Sequence, residues 1–344
     1  MDLGLLRLVA QRVAGPPLAD PVSVVRHLLA VQGQDAPGAV RSIALRSVDR
    51  SGQSVLDAYD SGALVRSWPM RGTLHVVLAS DLGWMRELMT ARPRAAAARR
   101  RGDLGLSERD VSHAADVAAD ELSGRGLVRA GLLEAFAAAG LPVDAGRGYH
   151  LIVELAHRGL ICLGPHDGGE QRFVLVDSWI RAAAGPTGED AVAELALRYV
   201  LGHGPATDRD LARWAGLPLG QVRRGLSAAA GQLSQVRLGE DVYWIDPALP
   251  DLLAGHRSQA EAVHLLPGFD EMVLGYADRT ATVPPDVADR VVPGGNGVFR
   301  GTVVHRGVAV GTWSRTRTGV AVEPFGQLSE RTRRAIDRAV DRLP

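Results

Sequence analysis

The strongest constraint in this 344-residue chain is a run of helix, cap and hairpin signals over residues 189–246. Glu189–Leu201 has the periodicity of an amphipathic helix, and Gly202 and Gly204-Pro205 break it. Thr207 stands at an N-cap position ahead of a short helix, Asp208–Ala215, and Gly216-Leu217-Pro218 turns the chain into a third, Leu219–Ala230. Two alternating segments follow, Gln232–Leu238 and Val242–Asp246, joined by Gly239-Glu240-Asp241 as a hairpin. Three helices and a two-stranded wing in this order predict a winged helix-turn-helix.

The same order occurs twice more, about 85 residues apart. Ser107 caps a helix to Leu122, Val128–Ala139 and Arg147–Gly159 follow, and Leu160–Leu163 pairs with Arg172–Val176 across a tip at Pro165–Glu170. Near the start, helices over 3–14, 21–31, 36–46 and 53–59 precede a hairpin of Leu64–Trp68 with Thr73–Leu78. The end differs: Val263–Leu266, Val298–His305, Val308–Ser314 and Gly319–Val322 alternate as strands, Thr282–Gly297 is a loop, and Ser329–Arg342 is a final helix. The predicted fold is α+β: winged-helix units over 1–104, 105–182 and 183–249, then a small β-barrel-like domain over 250–344. Tandem winged helices favour nucleic-acid binding, although a fold does not by itself fix a function.

Composition removes several classes. The hydrophobic share is 46%, so the chain is globular, and no run approaches the roughly 20 apolar residues of a spanning helix. The first residues, with Arg7 and Arg12 among apolar ones, read as an amphipathic helix and no signal peptide, and the single cysteine, Cys162, fits a reducing cytoplasm. All 39 basic residues are arginine, which excludes a Schiff-base lysine and a P-loop. Ten histidines and one cysteine show no metal-ligand spacing, no G-x-S-x-G elbow is present, and neither a metal nor a cofactor is expected. The zero net charge is uneven: +6 over 1–101, −10 over 102–300 and +4 over 301–344. If the two basic ends lie together they form one positive groove; otherwise the imbalance is surface scatter.

Three segments are unusual for structural filler. In Val31-Gln32-Gly33-Gln34-Asp35-Ala36-Pro37, two glutamines two apart in an extended segment point to the same side, and their amides can hold a water between them. The alternative is a polar turn in which Asp35 caps the helix containing Pro37. The second segment, Arg66–Val76, places Arg66, Trp68, Arg71 and His75 on a wing-like hairpin, where arginine suits phosphate and His75 lines a pocket or the core. In the third, Leu265–Arg279, Asp270 and Glu271 invite a carboxylate pair, but neighbours in sequence usually diverge, and a strand-to-helix junction is the preferred reading.

Taken together these segments resemble the AlkZ/YcaQ-type winged-helix DNA glycosylases over essentially the whole chain. Gln32-Gly33-Gln34 is similar to that family's Q-x-Q catalytic motif, with Gly33 where a larger apolar residue is usual. Arg66–Val76 resembles its R-x-W-x-x-R-G-T-L-H segment and Leu266–Arg279 its L-P-x-F-D-x-x-x-x-G-x-x-D-R segment. Asn296-Gly297 and Val310-Gly311-Thr312-Trp313 resemble its late strands. The resemblance implies a monomeric, monofunctional glycosylase acting on double-stranded DNA that carries alkylated purines, including bulky N7-guanine adducts or interstrand crosslinks, as in members that protect producers of genotoxins. It also implies catalysis by Gln32 and Gln34; the adjacent Asp35 carboxylate is expected to act as an electrostatic or basic helper.

Two neutral amides suffice chemically when the leaving base is already cationic, because only a water and an oxocarbenium-like sugar need stabilising. DNA contacts are expected from Arg66, Arg71 and His75, and from Arg92, Arg94, Arg99, Arg100 and Arg101 on a helix after the first wing. His305 and Arg306, at the tip of a hairpin over Thr302–Thr312, are expected to probe a groove. The helix arginines otherwise complement its dipole, and the hairpin is otherwise a plain surface turn. The competing reading of the whole is a non-catalytic winged-helix regulator.

Overall fold

The computed structural model describes residues 2–181 and 184–343, so the expected 182/183 boundary falls outside the described residues. The chain folds into two compact units, Met1–Val55 with Val192–Pro344, and Leu56–Ala191. Residues of the first expected repeat therefore divide between them. Among the described residues no helix is long and apolar enough to cross a membrane.

In the first unit, Leu3–Ala10, Pro21–Leu28 and Ala36–Ala44 are helical. Leu5, Leu8 and Val9 of the first helix share a core with Leu249, Leu253, Leu266 and Val304. The 207–245 segment forms as the local signals predict. Thr207 and Asp210 make a reciprocal capping box on Asp208–Ala215, and Gly216 ends that helix in the left-handed region, φ 70°. Leu219–Ala228 follows, then a two-stranded hairpin of Ser234–Leu238 with Asp241–Ile245. The preceding helix, Gly188–His203, runs through Gly202 rather than stopping there.

The last four strands make an antiparallel sheet in the order Gly319–Pro324, Val308–Thr316, Gly301–His305, Val263–Leu266. It is an open sheet with two edges, so the β-barrel-like domain expected does not close. The helix Glu330–Val340 covers it, packing Ile336 on Leu265, Val303 and Trp313, and Trp313 Nε1 donates to the Leu266 carbonyl at 2.7 Å. Within the expected 282–297 loop, Ala288–Val291 is one short helical turn whose Val291 is buried against Val273, Val283 and Ala309.

In the second unit the hairpins expected for two separate repeats share one sheet. Leu64–Met70 pairs with Thr73–Leu78 on one side and with Ile161–Asp167 on the other, through Arg66 opposite Leu163, and Glu170–Leu175 pairs with Ile161–Asp167 at the edge. The tip of the later hairpin is Gly168-Gly169, shorter than the sequence indicates. Ser107 caps Glu108–Glu121 in a second capping box. That helix packs with Arg129–Ala138 and Arg147–His157 over Trp68, Leu132, Phe136, Leu151 and Phe173.

Candidate active site

The site is built on the two-residue strand Val31–Gln32 and the turn into the helix Ala36–Ala44. As the alternation predicts, the two glutamine side chains come together. The Gln34 backbone N–H donates to Gln32 Oε1 at 2.8 Å, and Gln32 Nε2 donates to Gln34 Oε1 at 3.1 Å. A backbone N–H can only donate, so the oxygen of the Gln32 amide must face it. The Gln32 nitrogen then faces Gln34, whose own Nε2 is turned away from the pair. Gln32 is 5% exposed while Gln34 is exposed, so the pair leads from the interior to solvent and presents an amide N–H group there. The amides touch directly rather than leaving a gap between them.

Beneath the pair lies a buried carboxylate. Glu271 Oε1 accepts the Gln32 backbone N–H at 3.1 Å, and Oε2 accepts Trp214 Nε1 at 2.9 Å and lies 3.4 Å from His203 Nε2. Glu271 and His203 are both fully buried. The ring of His203 stacks on Tyr199, centroids 4.7 Å apart. A buried carboxylate persists only where donors replace its water, and here the donors tie the strand carrying Gln32 to the helix Asp208–Ala215.

Asp270 diverges from its neighbour, as expected. It caps the turn Glu271–Leu274 by accepting the Met272 N–H at 3.0 Å, and it takes Arg46 in a two-pronged ion pair, 2.9 Å to each oxygen. Ser42 Oγ donates to the same carboxylate at 2.7 Å. Burial pushes the Asp270 pKa up, but the Arg46 charge and the three sets of hydrogen bonds outweigh it, leaving the group below the usual carboxylate range. Arg46 also donates to the Gln11 carbonyl and side chain at 2.8 and 3.0 Å, and Gln11 donates to Tyr276 Oη at 2.9 Å. Ser42 and Arg46 lie on and just after the helix that begins beside Gln34, so this cluster holds that helix in place.

Asp35 occupies the N-cap position of Ala36–Ala44, but its side chain accepts no capping bond. The carboxylate instead lies against Gly38, where a Cβ would collide with it. Among the described residues no group of three His, Cys, Asp or Glu can hold a metal ion.

The other sequence-selected residues are placed as follows. In the second unit, Arg71 and Gly72 form the hairpin tip, both with positive φ. His75 is wholly buried: its Nδ1 bonds the Thr73 carbonyl at 2.9 Å and its Nε2 meets Arg71 at 2.8 Å. Its complete burial corrects the expectation of direct DNA contact. Arg66 is largely buried in its strand, and burial lowers its pKa. Arg92, Arg94, Arg99 and Arg100 are exposed on the helix Ala91–Asp103, whereas Arg101 is buried on Glu154 at 2.6 Å and is no surface arginine. In the first unit, the hairpin tip at Arg306-Gly307 is docked rather than projecting. A Cβ on Gly307 would stand 2.7 Å from the Gly4 carbonyl carbon.

A helix and sheet scaffold carrying a paired-glutamine site defines a class, and the comparisons agree on it. The family model for AlkZ-like DNA glycosylases matches residues 25–344, and the chain belongs to that family. It is similar to an interstrand DNA cross-link repair glycosylase of Streptomyces sahachiroi, 26% identical over 327 residues, or 92% of this chain and 87% of that one. The fold matches the solved Streptomyces sahachiroi DNA glycosylase AlkZ with a TM-score of 0.79 at 24% identity, over 98% of this chain and 94% of that one. The protein is a glycosylase, and the reading as a non-catalytic regulator is set aside.

Sequence reasoning selected Gln32, Gln34 and Asp35, read Asp270 and Glu271 as a strand-to-helix junction, and passed over Trp214, His203 and Arg46. One signal was available: Arg46 follows Ser42 by four residues, the spacing that puts two polar groups on one helical face.

Proposed function

We propose that the protein hydrolyses the N-glycosidic bond of alkylated purines in double-stranded DNA, N7-alkylguanine above all, with bulky natural-product adducts and interstrand crosslinks as its special substrates. The observation that carries this reading is the Gln32–Gln34 pair, whose mutual hydrogen bonds fix both amides and leave an oriented N–H group at the surface. Such a site positions and polarises without supplying a strong acid. An N7-alkylated guanine needs none: its cationic ring takes up the bonding electrons and leaves as a neutral base. A water bonded to the outward-facing Gln34 amide N–H then bonds to C1′, and its proton passes to Asp35 or to solvent. No cofactor enters this scheme, because the leaving base is the electron sink.

Gly33, small where the family resemblance leads one to expect a bulkier residue, supports room for a large adduct beside the pair. The name of the Streptomyces sahachiroi relative supports crosslinks as substrates, and self-resistance to a genotoxin as the role. We place the enzyme in the cytoplasm as a monomer, with Arg92, Arg94, Arg99 and Arg100 meeting phosphates and Arg66 and Arg71 backing them. The three winged-helix units remain our description of its helical parts. The test compares base release from duplexes carrying N7-methylguanine and hypoxanthine. Release of the cationic base alone is expected, and equal release of the neutral one would overturn the reading.

A further inference from the structure

The basic ends of the chain meet within the first unit. A groove of about 860 Å³ is lined by Arg12 and Arg50 from the N-terminal part and by Arg306, Arg331, Arg338 and Arg342 from the C-terminal part. Among the described residues its one acidic lining residue, Glu261, is already shared by Arg257 at 3.3 Å and Arg306 at 3.7 Å. Among the described residues the other five arginines have no carboxylate within ion-pair distance. Burial lowers His264 to about 4, and burial with Arg306 and Arg331 lowers His305. The charge of the groove at neutral pH is therefore mainly arginine charge, offset by Glu261 beside Arg306 and by Asp246 acting on Arg12.

Ordinary surface stabilisation does not explain this arrangement. Arg12, Arg50 and Arg306 sit in the left-handed region, φ 59°, 50° and 53°, where glycine would be less strained. Arg331 is in the first turn of Glu330–Val340, the end at which the helix dipole disfavours a cation. Arg50 donates to the Arg342 carbonyl at 3.3 Å, bringing two like charges together. Arg331 and Arg338, two turns apart on Glu330–Val340, line the groove, and Arg342 just past the helix end lines it too. At about 1.5 Å per residue Arg331 and Arg338 stand roughly 10 Å apart along the helix axis.

We propose that this groove is a second DNA contact, a track for the phosphate backbone formed by residues other than the glutamine pair. The proposal rests on the reading of the protein as an enzyme of double-stranded DNA. It assigns Arg306 and His305 to a docked wall of the track in place of a projecting probe.

The experiment measures the affinity of the full-length protein for an undamaged duplex across a potassium chloride series, and base release from N7-methylguanine DNA in parallel. Arg331→Ala/Arg338→Ala/Arg342→Ala is compared with Arg317→Ala/Arg333→Ala/Arg334→Ala, which removes the same charge outside the groove. All six side chains are exposed, so neither triple variant threatens the fold. Each phosphate contact contributes about 0.9 to the slope of log affinity against log salt. The groove variant should lose about 2 to 3 from that slope and more than tenfold in affinity at low salt. Its KM should rise with kcat unchanged, while the control keeps most of its slope. Equal losses in both variants, or no change in the groove variant, would overturn the proposal, as would tight binding of inorganic phosphate with an unchanged slope. Base release by the wild type is read independently, so its absence sinks the substrate assignment while the slopes still decide the groove.

Discussion

Replacing Asp270 by asparagine removes one charge and almost no volume from a wholly buried position. The carboxylate accepts two Arg46 hydrogen bonds at 2.9 Å, one from Ser42 at 2.7 Å and one from the Met272 N–H at 3.0 Å. Asparagine keeps one oxygen, but its NH₂ group must face a donor, and the Arg46 guanidinium, 0% exposed, is left without a counter-charge. Breaking a buried pair from one side costs about 3–5 kcal/mol. With a urea m-value of about 3 kcal/mol/M, the midpoint of the first unit's transition should fall by roughly 1–2 M. The pH dependence must agree in sign. Asp270 sits below its unfolded value of about 3.9, so its stabilisation is complete above that range and is lost as pH falls through the folded pKa. The wild type should therefore lose stability on acidification more steeply than Asp270→Asn, which starts lower and stays flatter. Urea melts followed by tryptophan fluorescence, between pH 3 and 7, measure both effects. A loss under about 1 kcal/mol at pH 7, or parallel acid limbs, would refute the argument that this pair anchors the helix behind Gln34.

Three further outcomes follow from the packing. Trp214→Phe removes the N–H that Glu271 accepts at 2.9 Å; a hydrogen bond to a charged group is worth about 1.5–3 kcal/mol, and urea titration should show that loss. Phe136→Ala opens the second unit's core and should cost that unit about 3–5 kcal/mol in the same assay. Cys162 is buried and burial pushes its thiol up to about 12, so a disulfide reagent at pH 8 should label it only in denaturant; rapid labelling of the native protein would contradict its placement.

What the sequence reveals divides by range. The cap at Thr207, the turn at Gly216 and the hairpin after it depend on residues within a few positions of one another, so pattern reading reaches them. The shared sheet of the second unit does not, because Arg66 opposite Leu163 is a non-local pairing that no local signal encodes. Alternation also failed to say whether the last four strands close, since open and closed sheets share the same period. In the site, the period of two put Gln32 and Gln34 on one side, and the structure links them. The divergence of Asp270 and Glu271 was readable; their destinations were not. Glu271 finds Gln32 across 239 residues, and Asp270 finds Arg46 across 224. Charge counting over the two ends left a positive groove and surface scatter as alternatives; in the folded first unit Arg12 and Arg50 meet arginines of the C-terminal end.

The central claim is that the amide pair carries the chemistry. Base release from duplex DNA containing N7-methylguanine, and in parallel a bulky N7-guanine adduct, measured by mass spectrometry, tests it most directly when wild type is compared with Gln32→Ala/Gln34→Ala. The account predicts that both bases are released by the wild type and that the double variant, folded and still binding DNA, loses at least two orders of magnitude, the scale of removing preorganised polar groups from a reaction centre. Unchanged release by the double variant, or none by the wild type from either substrate, would contradict it.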